Sequence, residues 1–134
     1  MNQKQPLKVL LVDDEEDIVY VLKKGLELNG FKIDSFTDPV RAVQQFQPDY
    51  YDAVIIDIKM PMMSGLDLYE KIREKDAAVR VYLMSAYDTY EKEVKEKFAA
   101  NELVKFVKKP TTYAVLAEML KKDSESKRLT SFIF

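Results

Sequence analysis

Asp13, Asp14, Asp57, Ser85 and Lys109 are the residues of this chain whose types suit shared chemistry. Three carboxylates crowded together repel, and each tends to raise the others' pKa unless a cation compensates. A hard cation with oxygen ligands answers that need. Magnesium suits best, because it is commonly held by one or two carboxylates, keeps several waters and completes its shell with phosphate oxygens. Lys109 would then set a compact positive charge beside one phosphate oxygen, and Ser85 a hydroxyl donor beside another. The reaction that fits is phosphoryl transfer to a carboxylate, which is catalysed mostly by positioning and charge neutralisation. Aspartate is already ionised near neutral pH, so no histidine base is required, and an aspartyl phosphate is a recognised covalent species. Asp57 is the expected nucleophile because it ends the central apolar run, while Asp13 and Asp14 are better placed to hold metal.

Composition narrows the alternatives. The chain has no cysteine and no histidine, which removes disulfides, thiol nucleophiles, thiolate metal sites and the phosphohistidine carrier together. A net charge of -2 argues against a generic nucleic-acid surface, which carries a clustered excess of Lys and Arg. With 134 residues there is room for one core. No stretch approaches the roughly 18 apolar residues that cross a bilayer, and the start MNQKQPLK lacks the apolar centre of a signal peptide. The expectation is a cytoplasmic protein with no membrane insertion and no direct nucleic-acid binding.

The elements that must position these residues follow from periodicity. Short apolar runs at 9–12, 31–36, 53–58, 79–84 and 103–107 are candidate strands, separated by segments of helical spacing. The first helix, over about 15–29, places Ile18, Val21, Leu22 and Leu26 on one stripe and stops at Asn29-Gly30, where glycine takes a left-handed cap. A short helix is expected over 39–46. Leu66, Tyr69 and Ile72 mark the next, starting near Ser64-Gly65. Tyr90, Val94 and Phe98 mark another, and Tyr113, Leu116 and Leu120 the last. Such alternation implies parallel strands with right-handed crossovers and helices on both faces. In an open parallel sheet, ligands bind outside the carboxyl ends of the strands. Asp13 and Asp14 follow the first strand, Asp57 ends the third, Ser85 follows the fourth and Lys109 follows the fifth, so all five fall on one edge.

Taken singly, each residue has an ordinary role. The run from Asp13 to Asp17 caps a helix and complements its dipole, Asp57 ends a strand in a turn, Pro61 with Gly65 is a loop, and Lys109-Pro110 is a solvated turn. What overturns these separate accounts is their coincidence: four strand ends carry the complementary groups that one phosphoryl site requires.

The segments VLLVDDEED, VIIDIKMPMMSGLDL, VYLMSAY and KFVKKP resemble the response regulator receiver domain of two-component systems, with compatible spacings from about residue 8 to 120. The resemblance implies a flavodoxin-like, doubly wound five-stranded parallel sheet in the order 2-1-3-4-5 with five helices. It implies that Asp57 is the phosphoacceptor, that Asp13 and Asp14 are the metal-binding pair, and that the backbone carbonyl of Lys59 is a further ligand for Mg2+. Ser85 matches the hydroxyl whose movement reads out phosphorylation, and Lys109 the phosphate-pairing lysine, followed by a proline that is often cis in the family. Pro61 and Gly65 match the loop that shapes the site. Phe106 matches the switch aromatic; tyrosine is familiar there, and phenylalanine keeps the rotation without the hydrogen bond. Lys59 and Tyr87 flank the path of an attacking water, from which slow self-dephosphorylation is expected. The segment FAANELVKF departs from the family's small-residue turn before the fifth strand.

The resemblance further implies a sensor histidine kinase as partner and an unidentified protein target; pairing of two copies is left open. The expected organisation is a receiver domain over 1–122 and a C-terminal tail over 123–134, with no output domain resembled after the last helix. A phosphorelay shuttle that serves a histidine phosphotransfer protein is the alternative within this class. A small aspartate-nucleophile phosphatase would carry a second aspartate where this chain has Lys59. A flavin carrier would not place DDEED against a phosphate. A receiver-like module that is never phosphorylated would have lost the acceptor, the acidic pair or the lysine.

Overall fold

The structure is a computed structural model of the chain. It describes residues 5–86 and 88–133, apart from the side chains of 88–91 and 126–133. The element order is β1(Lys8–Val12), α1(Glu16–Leu28), β2(Lys32–Phe36), α2(Pro39–Gln45), β3(Ala53–Asp57), α3(Gly65–Lys75), β4(Arg80–Ser85), α4(Asp88–Lys97), β5(Val104–Lys108) and α5(Tyr113–Ile133). The strands form one parallel sheet ordered β2-β1-β3-β4-β5, as expected. Among the described residues, no helix is long and apolar enough to cross a membrane.

Two apolar layers enclose the sheet. Leu10, Val12, Val54, Ile56 and Leu83 face α2, α3 and α4, while Val9, Leu11, Ile55, Tyr82 and Val107 face α1 and α5. Residues of the inner strands alternate between two covered faces, which is why VLLV and AVIID are apolar without a break. The helix ends follow local chemistry. Gly30 takes φ +92 while its N–H donates to the carbonyl of Glu27 and that of Phe31 to Leu26, so α1 closes in a Schellman motif. Asp38 caps α2 by accepting from the Val40 N–H at 2.9 Å, with Pro39 opening the helix. Ser64 caps α3 through the Asp67 N–H.

Four details differ from the sequence expectation. Val19 joins Leu22 and Leu26 in the α1 stripe, whereas Val21 is 55% exposed. Leu68 is fully buried on α3, and Leu66 is only half-buried. Tyr113 is half-exposed because it lies across Gly25 of α1, where a β-carbon would meet its ring at 2.0 Å. Ser85 closes β4 rather than following it. Of the α4 stripe, Val94 and Phe98 are buried; the Tyr90 side chain lies outside the described residues.

α5 passes position 122 without a break, and Asp123 is buried beneath it. The Tyr82 hydroxyl of β4 donates to one Asp123 oxygen, and the Lys105 ammonium of β5 lies 2.6 Å from the other. Burial pushes the Asp123 carboxyl up, but the bonds from Lys105 and Tyr82 outweigh it and the net shift is downward. A depressed folded-state pKa means stability that is present above the unfolded value of about 3.9 and lost as pH falls through the folded one. Asp123→Asn should therefore destabilise the chain at pH 7 by about 1–3 kcal/mol in urea denaturation, the deficit shrinking toward pH 3. A deficit of equal size at both pH values would remove the charged clasp from the account.

Candidate functional site

Parallel pairing alone brings the acidic residues to one edge. Val12 lies opposite Ile56 and Asp57 opposite Met84, so the residues just beyond Val12, Asp57 itself and Ser85 meet at the carboxyl end of the sheet. Asp13 continues the ladder through its N–H to the Phe36 carbonyl at 3.2 Å. Lys109 is drawn in by its own backbone, whose N–H donates to the Ser85 carbonyl at 2.8 Å. The Lys109-Pro110 peptide bond is cis.

The side chains converge. Oxygens of Asp13, Asp14 and Asp57 all lie within 4.8 Å of one another. Asp13 and Asp57 are buried, and Asp14 is half-buried. The Lys109 ammonium is 3.1 Å from Asp13 Oδ2 and 3.4 Å from Asp57 Oδ1, and its side chain is only 13% exposed. Asp13 uses its other oxygen to accept the Glu15 N–H at 3.0 Å, which fixes that carboxylate at the start of α1. Glu15 itself stands 3.9 Å from Lys109 on the exposed rim, where an ion pair is weak. The sequence expectation did not include it.

Charge sets the character of this pocket. Burial, joined by Asp13, pushes Asp57 up to about 7 against the counter-pull of Lys109, and Asp14 adds to the rise. Burial pulls the Lys109 ammonium down, yet Asp13, Asp57 and Glu15 overcome it and leave its pKa raised. Three carboxylates face one ammonium, an excess of two negative charges, with oxygen donors only. That donor set fits a hard divalent cation.

The loop after Asp57 is packed tightly onto it. The Gly65 N–H closes the turn on the Ile58 carbonyl at 2.7 Å, and a β-carbon at Gly65 would stand 2.3 Å from the Asp57 carbonyl oxygen. Met60 is buried beneath this loop, Met63 packs against the core, and Met62 is exposed with φ 70. Lys59 is exposed beside the pocket, and Phe106 is half-buried on β5 against the α3 and α4 layer. Tyr87 lies outside the described residues. The structure thus brings Asp13, Asp14, Asp57 and Lys109 into contact, sets Ser85 at the same edge, and leaves Phe106 further back along the sheet.

Fold and site together define a flavodoxin-like domain with an aspartate-lined pocket at the carboxyl edge of its sheet. The family model of the response regulator receiver domain matches residues 9–121. The chain belongs to this family. It is 33% identical over 82 residues to the sensor protein EvgS of Escherichia coli K12, covering 61% of this chain and 7% of that protein. It is 34% identical over 79 residues to the transcriptional regulatory protein PrrA of Mycobacterium tuberculosis, covering 59% of this chain and 34% of that protein. The chain therefore spans about a third or less of these curated relatives. Among solved structures, response regulator protein TrrA of Thermotoga maritima, in complex with Mg(2+)-BeF, superposes with a TM-score of 0.71 at 33% identity, covering 87% of this chain and 97% of that one.

A raised Asp57 favours its protonated form in the folded chain, so the stability linked to it is complete below about pH 4 and lost as pH rises through about 7. With a chelator present, Asp57→Asn should stabilise the fold at pH 8 by about 1–3 kcal/mol and hardly change it at pH 4. Added magnesium should narrow the difference at pH 8. Urea titrations at both pH values check this, and a variant no more stable at pH 8 would remove the charge crowding from the account.

Proposed function

We propose that this chain is a phosphorylation-dependent signalling switch in which Asp57 accepts a phosphoryl group from a sensor histidine kinase or a small phosphodonor. One observation carries the proposal: the largely covered Lys109 ammonium stands 3.4 Å from Asp57 and 3.1 Å from Asp13 in a pocket of clustered carboxylates. Asp57 supplies the attacking oxygen in line with the departing group, which leaves with the electrons of its bond to phosphorus. Lys109 moves little to pair with an equatorial phosphoryl oxygen, and the Ser85 hydroxyl donates to another. Asp13, Asp14, Asp57 and the Lys59 carbonyl are the groups that would hold Mg2+, which when bound offsets the charge that the carboxylates and phosphate bring together.

The output follows from the same atoms. Drawing Ser85 toward the phosphoryl group opens room into which Phe106 turns, and the surface around α4 and β5 changes with it. Cytoplasmic location and a protein target belong to the same reading. The match to a sensor protein also favours the relay alternative, in which Asp57 hands its phosphoryl group to a histidine phosphotransfer protein; transfer of label from the phosphorylated chain to such a protein separates the two.

Intact-mass measurement after exposure to acetyl phosphate with magnesium should show one added phosphoryl group. None should appear without the metal or in Asp57→Asn, and Lys109→Ala should slow its appearance by more than about tenfold. Undiminished addition to Asp57→Asn would refute the acceptor assignment. On the sequence spacing Lys59 and Tyr87 would flank the path of water, so Tyr87→Ala should shorten the phosphate lifetime, read by the decay of the added mass.

A further inference from the structure

Phe106 has no hydroxyl with which to report its position, so its movement must be read through packing. The ring nearest to it in the described structure is that of Phe98, just beyond α4, with centroids 6.2 Å apart and planes at 49°. Phe98 in turn meets Tyr69 of α3 edge-on at 5.0 Å and 77°. Phe98 and Tyr69 are both buried. The Tyr69 hydroxyl accepts from Asn101 Nδ2 at 3.4 Å and from Arg73 Nε at 3.2 Å, and the Arg73 guanidinium stacks 5.0 Å from the same ring.

Asn101 is the centre of the turn that replaces the family's small-residue connection. Its backbone N–H donates to the Phe98 carbonyl at 2.9 Å, and its side-chain oxygen accepts the Leu103 N–H at 2.9 Å. It thus shapes the entry to β5 while holding α3 through Tyr69. The turn, the helix end and the aromatic pair form one connected body.

The sheet register gives the direction of any change. Phe106 lies opposite Leu83, whereas Ser85 lies opposite Lys108, two residues nearer the carboxyl edge, a rise of roughly 7 Å along the strand. Phe98 is linked to the other end of β5 through Asn101, whose N–H donates to the Phe98 carbonyl and whose carbonyl accepts the Val104 N–H at 3.3 Å. A Phe106 ring that turns toward Ser85 therefore leaves Phe98. The contact between the two rings opposes the turn, and its loss releases the Tyr69 and Asn101 bonds.

We propose that Phe98, Tyr69 and Asn101 are positioning residues that couple Phe106 to α3 and to the α4–β5 turn, so that the aromatic stack, in place of a tyrosine hydroxyl, sets how readily the switch turns. This inference rests on the switch function proposed above and adds to it the residues that resist the change. By reciprocity, weakening what resists the change must tighten the binding of anything that favours it.

The probe is beryllofluoride with magnesium, a stand-in for the phosphoryl group, applied to the full chain and followed by fluorine NMR. Phe98→Leu should tighten its binding about three- to tenfold, and should add nothing further in a Phe106→Leu background. Tyr69→Phe, which removes one oxygen and keeps the ring, should tighten it about two- to fivefold. The side-chain amide signal of Asn101 should shift when wild type binds the probe and stay fixed in Phe106→Leu. Additive effects of the two Phe substitutions, an unchanged affinity in Tyr69→Phe, or a stationary Asn101 amide in a wild type that binds the probe would each overturn the coupling. Failure of wild type to bind the probe would instead remove the switch function on which it rests.

Discussion

The ammonium of Lys109 among the carboxylates of Asp13, Asp14 and Asp57 is the contact on which the rest of the molecule depends. Like charges brought this close in a largely buried pocket would not remain together without an opposing charge. Lys109 supplies one from inside the chain, and it does not match three carboxylates, so the pocket favours taking up a further positive charge, as the raised Asp57 shows. The sheet exists in this form to hold that balance. Asp13 is fixed by a ladder bond to β2 and by the start of α1, and Lys109 by the carbonyl of Ser85, so the opposing charges are anchored by backbone rather than by flexible side chains.

Much of this was legible in the sequence because both faces of the inner strands are covered, which forces continuous apolar runs that end where the chemistry begins. The sheet order was not in the runs themselves; it came from resemblance. Within helices, the sequence misled where two residues of similar type compete for one stripe. Val19 and Val21 are equally apolar, but Val19 stands three and seven residues before Leu22 and Leu26, on the stripe that goes in, and Val21 falls beside it. Leu66 and Leu68 pose the same problem on α3. Tyr113 looked like a core residue because it shares spacing with Leu116 and Leu120, yet it is spent on the contact with Gly25, a glycine whose importance only the neighbouring helix reveals. Asp123 was invisible for a further reason. A buried carboxylate at helical spacing looks polar and therefore exposed, and its partners Tyr82 and Lys105 are far away in sequence. At the site, residue types betrayed Asp13, Asp14, Asp57, Ser85 and Lys109, but not the rim position of Glu15 beside Lys109.

β5 shows how one strand can serve stability and switching at once. Its successive side chains point to opposite faces. Lys105 reaches α5, where it meets the buried Asp123 that Tyr82 also holds, and Val107 packs in the same layer. Phe106, between them, points to the α3 and α4 layer and is only half-buried. On the α5 side the contacts are ionic, hydrogen-bonded and densely apolar, with Leu116, Ala117 and Leu120 beneath the helix. On the α4 side Phe106 makes an apolar packing contact with the Phe98 ring and the surrounding layer, with no ionic partner among the described residues. The two faces of β5 are therefore held by different kinds of contact. The alternation of a five-residue strand is enough to place the charged clasp on one face and the apolar ring contact on the other.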